Sequence, residues 1–324
     1  MKKRIIFAIL LTLCWLSFSY GNDEKKSVSV IFDSDMGSDY DDVGALTVLY
    51  ALVGSGEAKI LGTMSCNLCE NSAICIDVIN QYYGNDIPVG VPASGKSDCG
   101  NGNWGDWMNM LPDLFPHKLT RRADAPDAVT EYRRILSAEP DKSVVIVTVG
   151  YFTNIAALLQ SKPDQHSPIT GEELVRKKVK LLVSMAGTFP SGKEWNSSFD
   201  TKSTQIVVEK FPVHIIFSGS EIGEKILTGK RLIASDIPET PAKKVFKIRS
   251  DREPDGRNSW DQTAVLVGVR GTEKYFNTVK GRMIMNNDGS NTWENDPNGM
   301  HEYLTFKMPP EELITIIEDL MMLK

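Results

Sequence analysis

Residues 28–46 read Val-Ser-Val-Ile-Phe-Asp33-Ser-Asp35-Met-Gly37-Ser-Asp39-Tyr-Asp41-Asp42-Val-Gly-Ala-Leu46, an apolar run that breaks into five aspartates and then resumes. Val28 to Phe32 is β-branched and apolar enough for a buried strand, and Leu46, Leu49, Tyr50 and Val53 recur at helical spacing. The stretch therefore predicts strand, acidic loop, helix, with the aspartates at the strand's carboxyl end. Like charges this dense must be protonated, splayed outward or neutralised by a cation when the chain folds. A hard divalent ion meets that need: calcium takes roughly six to eight oxygens and favours carboxylates, whereas magnesium keeps more of its water. Asp35 is expected to face the ion, Asp33 to support the loop, and Asp41 and Asp42 to close from the helix start. The competing reading makes Asp41 or Asp42 a helix cap and the other acids solvated loop residues. An EF-hand loop is a weaker fit, because counting from Asp33 puts Gly37 and Ser38 where it needs an acid or amide and then a glycine. A phosphoryl-transfer aspartate after the strand is a second weaker rival, with no Walker Gly-Lys-Ser/Thr present to support it.

The pattern Asp33-x-Asp35-x-Gly37-x-Asp39-x-Asp41-Asp42-x-x-Ala45-Leu46 resembles the opening motif of the inosine/uridine-preferring nucleoside hydrolase family. The family's usual form is Asp-x-Asp-Pro-Gly-x-Asp-Asp-Ala-x-Ala-Leu. Here Met36 replaces the proline and the loop is two residues longer.

Met1 to about Gly21 reads as a targeting segment: Lys2, Lys3 and Arg4 precede an apolar run to Trp15, with Ser19 and Gly21 small near the cleavage position. The expected organisation is a signal peptide over 1–21 and one domain over 22–324, with the mature chain exported to a periplasm or secreted. The run is short for a retained membrane anchor, and the large Leu13 before Cys14 argues against a lipoprotein site. Loss of three cationic and no acidic residues takes the formal charge from −6 to −9, so the mature chain is not a nucleic-acid binder. Its four cysteines, Cys66, Cys69, Cys75 and Cys99, lack a second close Cys or His pair, which favours bridges or buried thiols over zinc.

A second strand over about Lys59–Ser65 ends at Cys66-Asn67, and a helix follows over about Asn71–Tyr83. The resemblance implies that Asn67 contacts sugar or ion. Ser94–Pro116, rich in Gly, Asn, Asp and Trp, reads as a long loop and candidate lid, with Trp104 or Trp107 able either to stack on a flat base or to cover the edge of the core. A helix over Asp124–Leu136 precedes a strand over Val144–Val149, and Thr153 and Asn154 cap the next helix. By resemblance the Val149 carbonyl binds calcium. After a strand over Lys178–Ser184, the Glu194-Trp195-Asn196 triplet resembles the block whose Glu and Asn hold the ribose hydroxyls. The Asn that normally precedes that Glu by six residues is Thr188 here. Ser218–Gly223 opens a helix expected to end at Thr228-Gly229, with Glu221 as helix-start chemistry. Trp260-Asp261 stands where well-known family members carry His-Asp. Asp261 matches a calcium ligand, while Trp260 removes a protonatable donor to the leaving base and supplies a stacking surface.

Strands alternating with helices predict an α/β fold, a mostly parallel open central sheet flanked by helices, Rossmann-like and nucleoside hydrolase-like. Ligands of such sheets bind beyond the strands' carboxyl ends, where all these residues lie. The expected function is calcium-dependent hydrolysis of N-ribosidic bonds in a small-molecule ribonucleoside, with inversion. Asp35 is the general base; Asn67, Glu194, Asn196 and Trp260 bind substrate; Asp35, Asp41 or Asp42 or both, Val149 and Asp261 bind calcium. His117, Tyr40 or solvent are candidates to protonate the leaving base. The alternatives are a calcium-dependent ribose- or nucleoside-binding protein with weak or no catalysis, and a hydrolase of another ribosyl compound. A homo-oligomer is suggested by resemblance alone.

Overall fold

The computed structural model describes residues 27–100 and 106–323. Residues 1–21, expected to be a targeting segment, and Trp104 lie outside them. Twelve strands are found among the described residues: β1 (Val28–Ser34), β2 (Ala58–Ser65), β3 (Val89–Gly90), β4 (Val144–Thr148), β5 (Val179–Met185), β6 (Ser191–Gly192), β7 (Ile215–Ser218), β8 (Leu227–Thr228), β9 (Arg257–Asn258), β10 (Phe276–Met285), β11 (Asn291–Asn295) and β12 (His301–Phe306).

Ten of them form one sheet in the order β3-β2-β1-β4-β5-β7-β12-β10-β11-β6. Its neighbours are parallel from β3 to β12, and β10, β11 and β6 extend it antiparallel. The open, mostly parallel α/β sheet is as expected. Val30–Phe32 of β1, Val144–Val147 of β4 and Leu181–Val183 of β5 are apolar runs because helices cover both faces of the sheet. One layer includes the helices Asp41–Gly54, Trp260–Arg270 and Pro310–Met321; the opposite layer includes Ala128–Ala138 and Thr153–Gln160.

Register places the site. Met64, Asp33, Thr148, Ser184 and Phe217 form one row across β2, β1, β4, β5 and β7, so these strands end nearly level. The segments leaving them converge on one edge.

Four local expectations differ from the structure. Helix Thr153–Gln160 has Phe152 as its N-cap with no side-chain cap bond, because Thr153 donates to Asp200 and Asn154 to Asp33 and the Ser65 carbonyl instead of capping. The helix placed at Asp124–Leu136 starts at Ala128, because Pro126 disfavours helical backbone at Ala125 and the Asp127 side chain accepts a hydrogen bond from Thr130 N. The helix after β7 is one turn, Ser220–Gly223, after which the chain pairs as β8 with β9. Within the supposed lid, Asp106–Leu114 is a helix whose Trp107, Met108 and Leu111 pack inward against helix Glu70–Tyr82. Trp107 is fully buried and is core, not a base-stacking residue.

Candidate active site

The acid loop forms as its pattern predicts. Asp33 ends inside the fold, where its carboxylate accepts from the Tyr132 hydroxyl at 2.8 Å and the Asn154 amide at 3.2 Å. Burial lifts its pKa to about 7 against those two donors. Two residues on, Asp35 is partly open to a cleft and its carboxylate takes no hydrogen bond from the described residues. Its main chain is clamped instead: a Cβ on Gly150 would lie 2.4 Å from Asp35 N, and one on Gly37 would lie 2.8 Å from Asp35 O. Only glycine permits both approaches.

The helix Asp41–Gly54 has Tyr40 as its N-cap, with no side-chain cap bond, so neither Asp41 nor Asp42 is a cap. Asp42 accepts from the Ser34 hydroxyl at 2.5 Å. Asp41 accepts from Arg257 Nε at 3.1 Å and Nη2 at 3.0 Å. The same guanidinium reaches Asp39 at 2.6 Å and Glu253 at 3.2 Å. Asp261, in the first turn of helix Trp260–Arg270, is buried and, like Asp35, receives no hydrogen bond from the described residues. Burial first, and neighbouring carboxylates second, push Asp35, Asp42 and Asp261 well above the usual carboxylate range. For Asp41 burial raises the pKa to about 7 while Arg257 pulls it down.

The opposite wall is Glu194-Trp195-Asn196. Glu194 caps helix Trp195–Phe199: its carboxylate accepts from Asn196 N at 2.6 Å, Ser197 N at 2.9 Å, Ser197 Oγ at 2.8 Å and Gly187 N at 3.0 Å. Three of those bonds fall on Oε2, so Oε1 retains acceptor capacity. Asn196 donates to the Val149 carbonyl at 3.1 Å, which joins this wall to the end of β4.

Asp35, Asp41, Asp42, Val149, Glu194, Asn196, Trp260 and Asp261 all line one cleft of about 300 Å³. Asn67 does not. It is fully buried, and its amide donates to the main-chain carbonyls of Asp35 and Asp98 while its oxygen accepts from the amides of Cys69 and Asp98. The substrate contact expected of Asn67 is corrected to a scaffold role, since its carboxamide is fully committed. The Cys69–Cys99 disulfide ties the same loop to helix Glu70–Tyr82, and Cys66 and Cys75 are buried thiols. Neither Tyr40 nor any of the four histidines lines the cleft.

Seven lining residues were not anticipated, among them Asp39, Lys193, Trp195, Glu224 and Arg257. Trp195 is 57% exposed and stacks on Phe199 at 4.9 Å. Its signal was its place between two acid and amide site residues. Trp260 is anchored by Nε1 donating to Ser220 O at 2.9 Å, with the Arg257 guanidinium 4.9 Å from its ring centre.

Among the described residues Asp39, Asp41 and Asp42 offer carboxylate oxygens within 4.8 Å of one another, a spacing that could hold a metal ion. Asp35 and Asp261 are carboxylates in a buried setting that lack hydrogen-bond donors, and the Asp42 carboxylate and Val149 carbonyl lie on the same cleft. Such oxygens are costly to ionise without a counter-charge and are the ligands calcium prefers.

The arrangement of strands and cleft is that of the nucleoside hydrolase fold. Solved structures similar to this chain include an inosine-guanosine nucleoside hydrolase, with TM-score 0.69 and 20% identity over 91% of this chain and 99% of that one. A purine-preferring ribonucleoside hydrolase from Gardnerella vaginalis has TM-score 0.68 and 22% identity, covering 90% and 99%. The type III effector protein XopQ, solved with adenosine diphosphate ribose, has TM-score 0.66 and 14% identity, covering 91% and 92%. No curated protein matches the sequence. Residues 30–300 match the family described as inosine-uridine preferring nucleoside hydrolase, and the chain belongs to that family.

Proposed function

We propose that this chain hydrolyses the N-ribosidic bond of a ribonucleoside with one calcium ion in its cleft and Asp35 as general base. What carries the reading is the pair of buried-site carboxylates, Asp35 and Asp261, that share a cleft with the Val149 carbonyl and have no hydrogen bond of their own. Asp35, Asp42, Asp261 and the Val149 carbonyl would hold the ion. When bound, calcium supplies the charge that grips vicinal ribose hydroxyls and acidifies a water.

Asp35 then takes the proton of the attacking water; positioned general bases contribute about 10²–10⁴-fold. The acids around the cleft stabilise positive charge that grows on the sugar as the base departs. Glu194 Oε1 and the Asn196 amide orient the ribose from the wall opposite. No carboxylate is assigned as a covalent nucleophile, so direct attack by water inverts the anomeric centre. Trp260 and Trp195 offer flat surfaces to the base. Neither His117 nor Tyr40 lines the cleft, so of the donors expected for the leaving base solvent remains, which favours bases that depart readily.

Release of ribose from purine, pyrimidine and nicotinamide ribosides, measured before and after chelation, tests the reading. Release that stops with chelator and returns with calcium supports it. Calcium and riboside binding without release at saturating enzyme would replace it with the binding-protein reading.

A further inference from the structure

We propose that a second cavity, separate from the cleft, binds a small monocarboxylate with an apolar body, its carboxylate held by the ring of His301. The cavity has a volume of about 370 Å³, and no residue lines both it and the cleft. It lies where the end of helix Thr201–Lys210 meets β10 and the start of β12. Small-molecule sites run from roughly 300 to 1,000 Å³, so the space suits a ligand of modest size. Its walls are mostly apolar, with Val208, Phe211, Met283, Met285 and Met300 among them. Methionine is unbranched and adaptable, so such walls follow a flexible chain.

His301 makes the cavity more than a packing gap. It is 5% exposed and stands edge-on to Phe217, with ring centres 5.5 Å apart. Nδ1 accepts from Met283 N at 3.1 Å, so the neutral ring carries its proton on Nε2. Burial, helped by His214 and Arg282, pushes the pKa down to about 4 and keeps the ring neutral near pH 7. Nε2 has no hydrogen bond among the described residues, yet it is not a sealed atom, and the space it opens on is the cavity. An acceptor placed there would recover the cost of leaving that donor unpaired.

The charge of the acceptor follows from the groups the ring feels. Arg282 is among them and lines the same cavity; the acid Glu209 also lines it but is exposed and is not among them. The ion pair of Arg282 with Asp296 is long, 3.4 Å, and its side chain is 58% exposed, so the guanidinium can share its charge with a second anion. A carboxylate at His301 therefore meets a donor with a cation nearby, while the apolar remainder lies along the methionines. A metal ion is disfavoured, because Nδ1 is committed to the main chain and Nε2 would have to give up its proton.

The test is isothermal titration of the protein with octanoate, octanamide and octylammonium. Octanoate is expected to bind one equivalent, about tenfold more tightly than octanamide, the gain of a charge-assisted over a neutral hydrogen bond. Octylammonium should not bind. Octanoate should also move the ring resonances of His301 and leave those of His117 and His166 in place. His301→Phe should weaken octanoate about 10–100-fold. Met300→Trp should block it; that side chain is 49% exposed, so the fold is not at stake. If His301→Phe fails to fold, Met300→Trp and the His301 resonances decide. No octanoate binding, or binding that Met300→Trp leaves unchanged and His301 does not sense, would overturn the proposal. Octanamide bound as tightly as octanoate would overturn the acid as the ligand class. None of these outcomes depends on the hydrolase reading, since the cleft takes no part in them.

Discussion

Glu194 and Asp35 are both acids on the same cleft, yet the first accepts four hydrogen bonds and the second accepts none. Burial pushes both carboxyls upward, and for Glu194 the Ser197, Asn196 and Gly187 amides oppose it. For Asp35 the neighbouring acids Asp42, Asp39, Asp98 and Asp41 add to it. One wall is therefore complete as folded, its acid built into a helix start. The other leaves two of its acids, Asp35 and Asp261, without a hydrogen bond from the described residues, as a site awaiting a counter-charge does. An acid of the first kind should matter to stability, and one of the second kind to binding and rate.

The largest effect should come from the unsatisfied wall. Asp35→Asn is expected to lower kcat by about 10²–10⁴-fold while leaving the metal-free melting temperature equal or higher, because it removes a repelled charge. Near-normal turnover would end the assignment of the base.

Metal and pH together sharpen the contrast. Asp33 and Asp41 titrate at about 7 in the fold against an ordinary 3.8. A carboxyl whose folded pKa is raised adds stability while protonated and loses it as pH rises through the folded value. The metal-free protein should therefore lose roughly 1 kcal/mol per such group between about pH 6.5 and 8. Calcium needs ionised ligands, so its stabilisation should grow over the same window. Thermal melts with and without calcium check this, and a metal-free melting temperature that climbs with pH would contradict it.

Glu194→Gln probes the complete wall. One oxygen becomes an amide that cannot accept from the Ser197 and Gly187 donors, at a cost of about 1–3 kcal/mol. The loss should be the same with and without calcium; a loss that calcium abolishes would make Glu194 part of the ion site instead.

How much of this was legible follows from the range of each interaction. The strand, acid loop and helix of residues 28–54 were visible because apolar periodicity is local. Asp261 and the Glu194–Asn196 block were visible because they sit next to such periodic segments. Arg257 was not, since its partner Asp41 is 216 positions away and no spacing rule reaches that far. A signal existed nonetheless: five aspartates imply a cation, and an arginine stands four residues before the matched Asp261. Asn67 was placed correctly in the chain but misassigned, because a residue type shows which bonds it can make and not which are already made. The choice between stacking and core for Trp107 was not legible, because three inward-facing apolar residues are few among the glycines and asparagines around them.

The smallest effect should come from Trp195, which belongs to the complete wall but faces outward. More than half exposed and supported only by its stack on Phe199, it adds little to the fold, and Trp195→Ala should change stability by about 0.5 kcal/mol or less. Stacking on a base is worth roughly 1–3 kcal/mol per contact, and an exposed face should deliver the low end. KM for an aromatic-base riboside should then rise about fivefold with kcat nearly unchanged, while hydrolysis of a ribosyl substrate lacking a ring should not change. Equal KM values for both substrates in wild type and variant would show that the base never reaches Trp195, leaving Trp260 as the flat surface of the cleft.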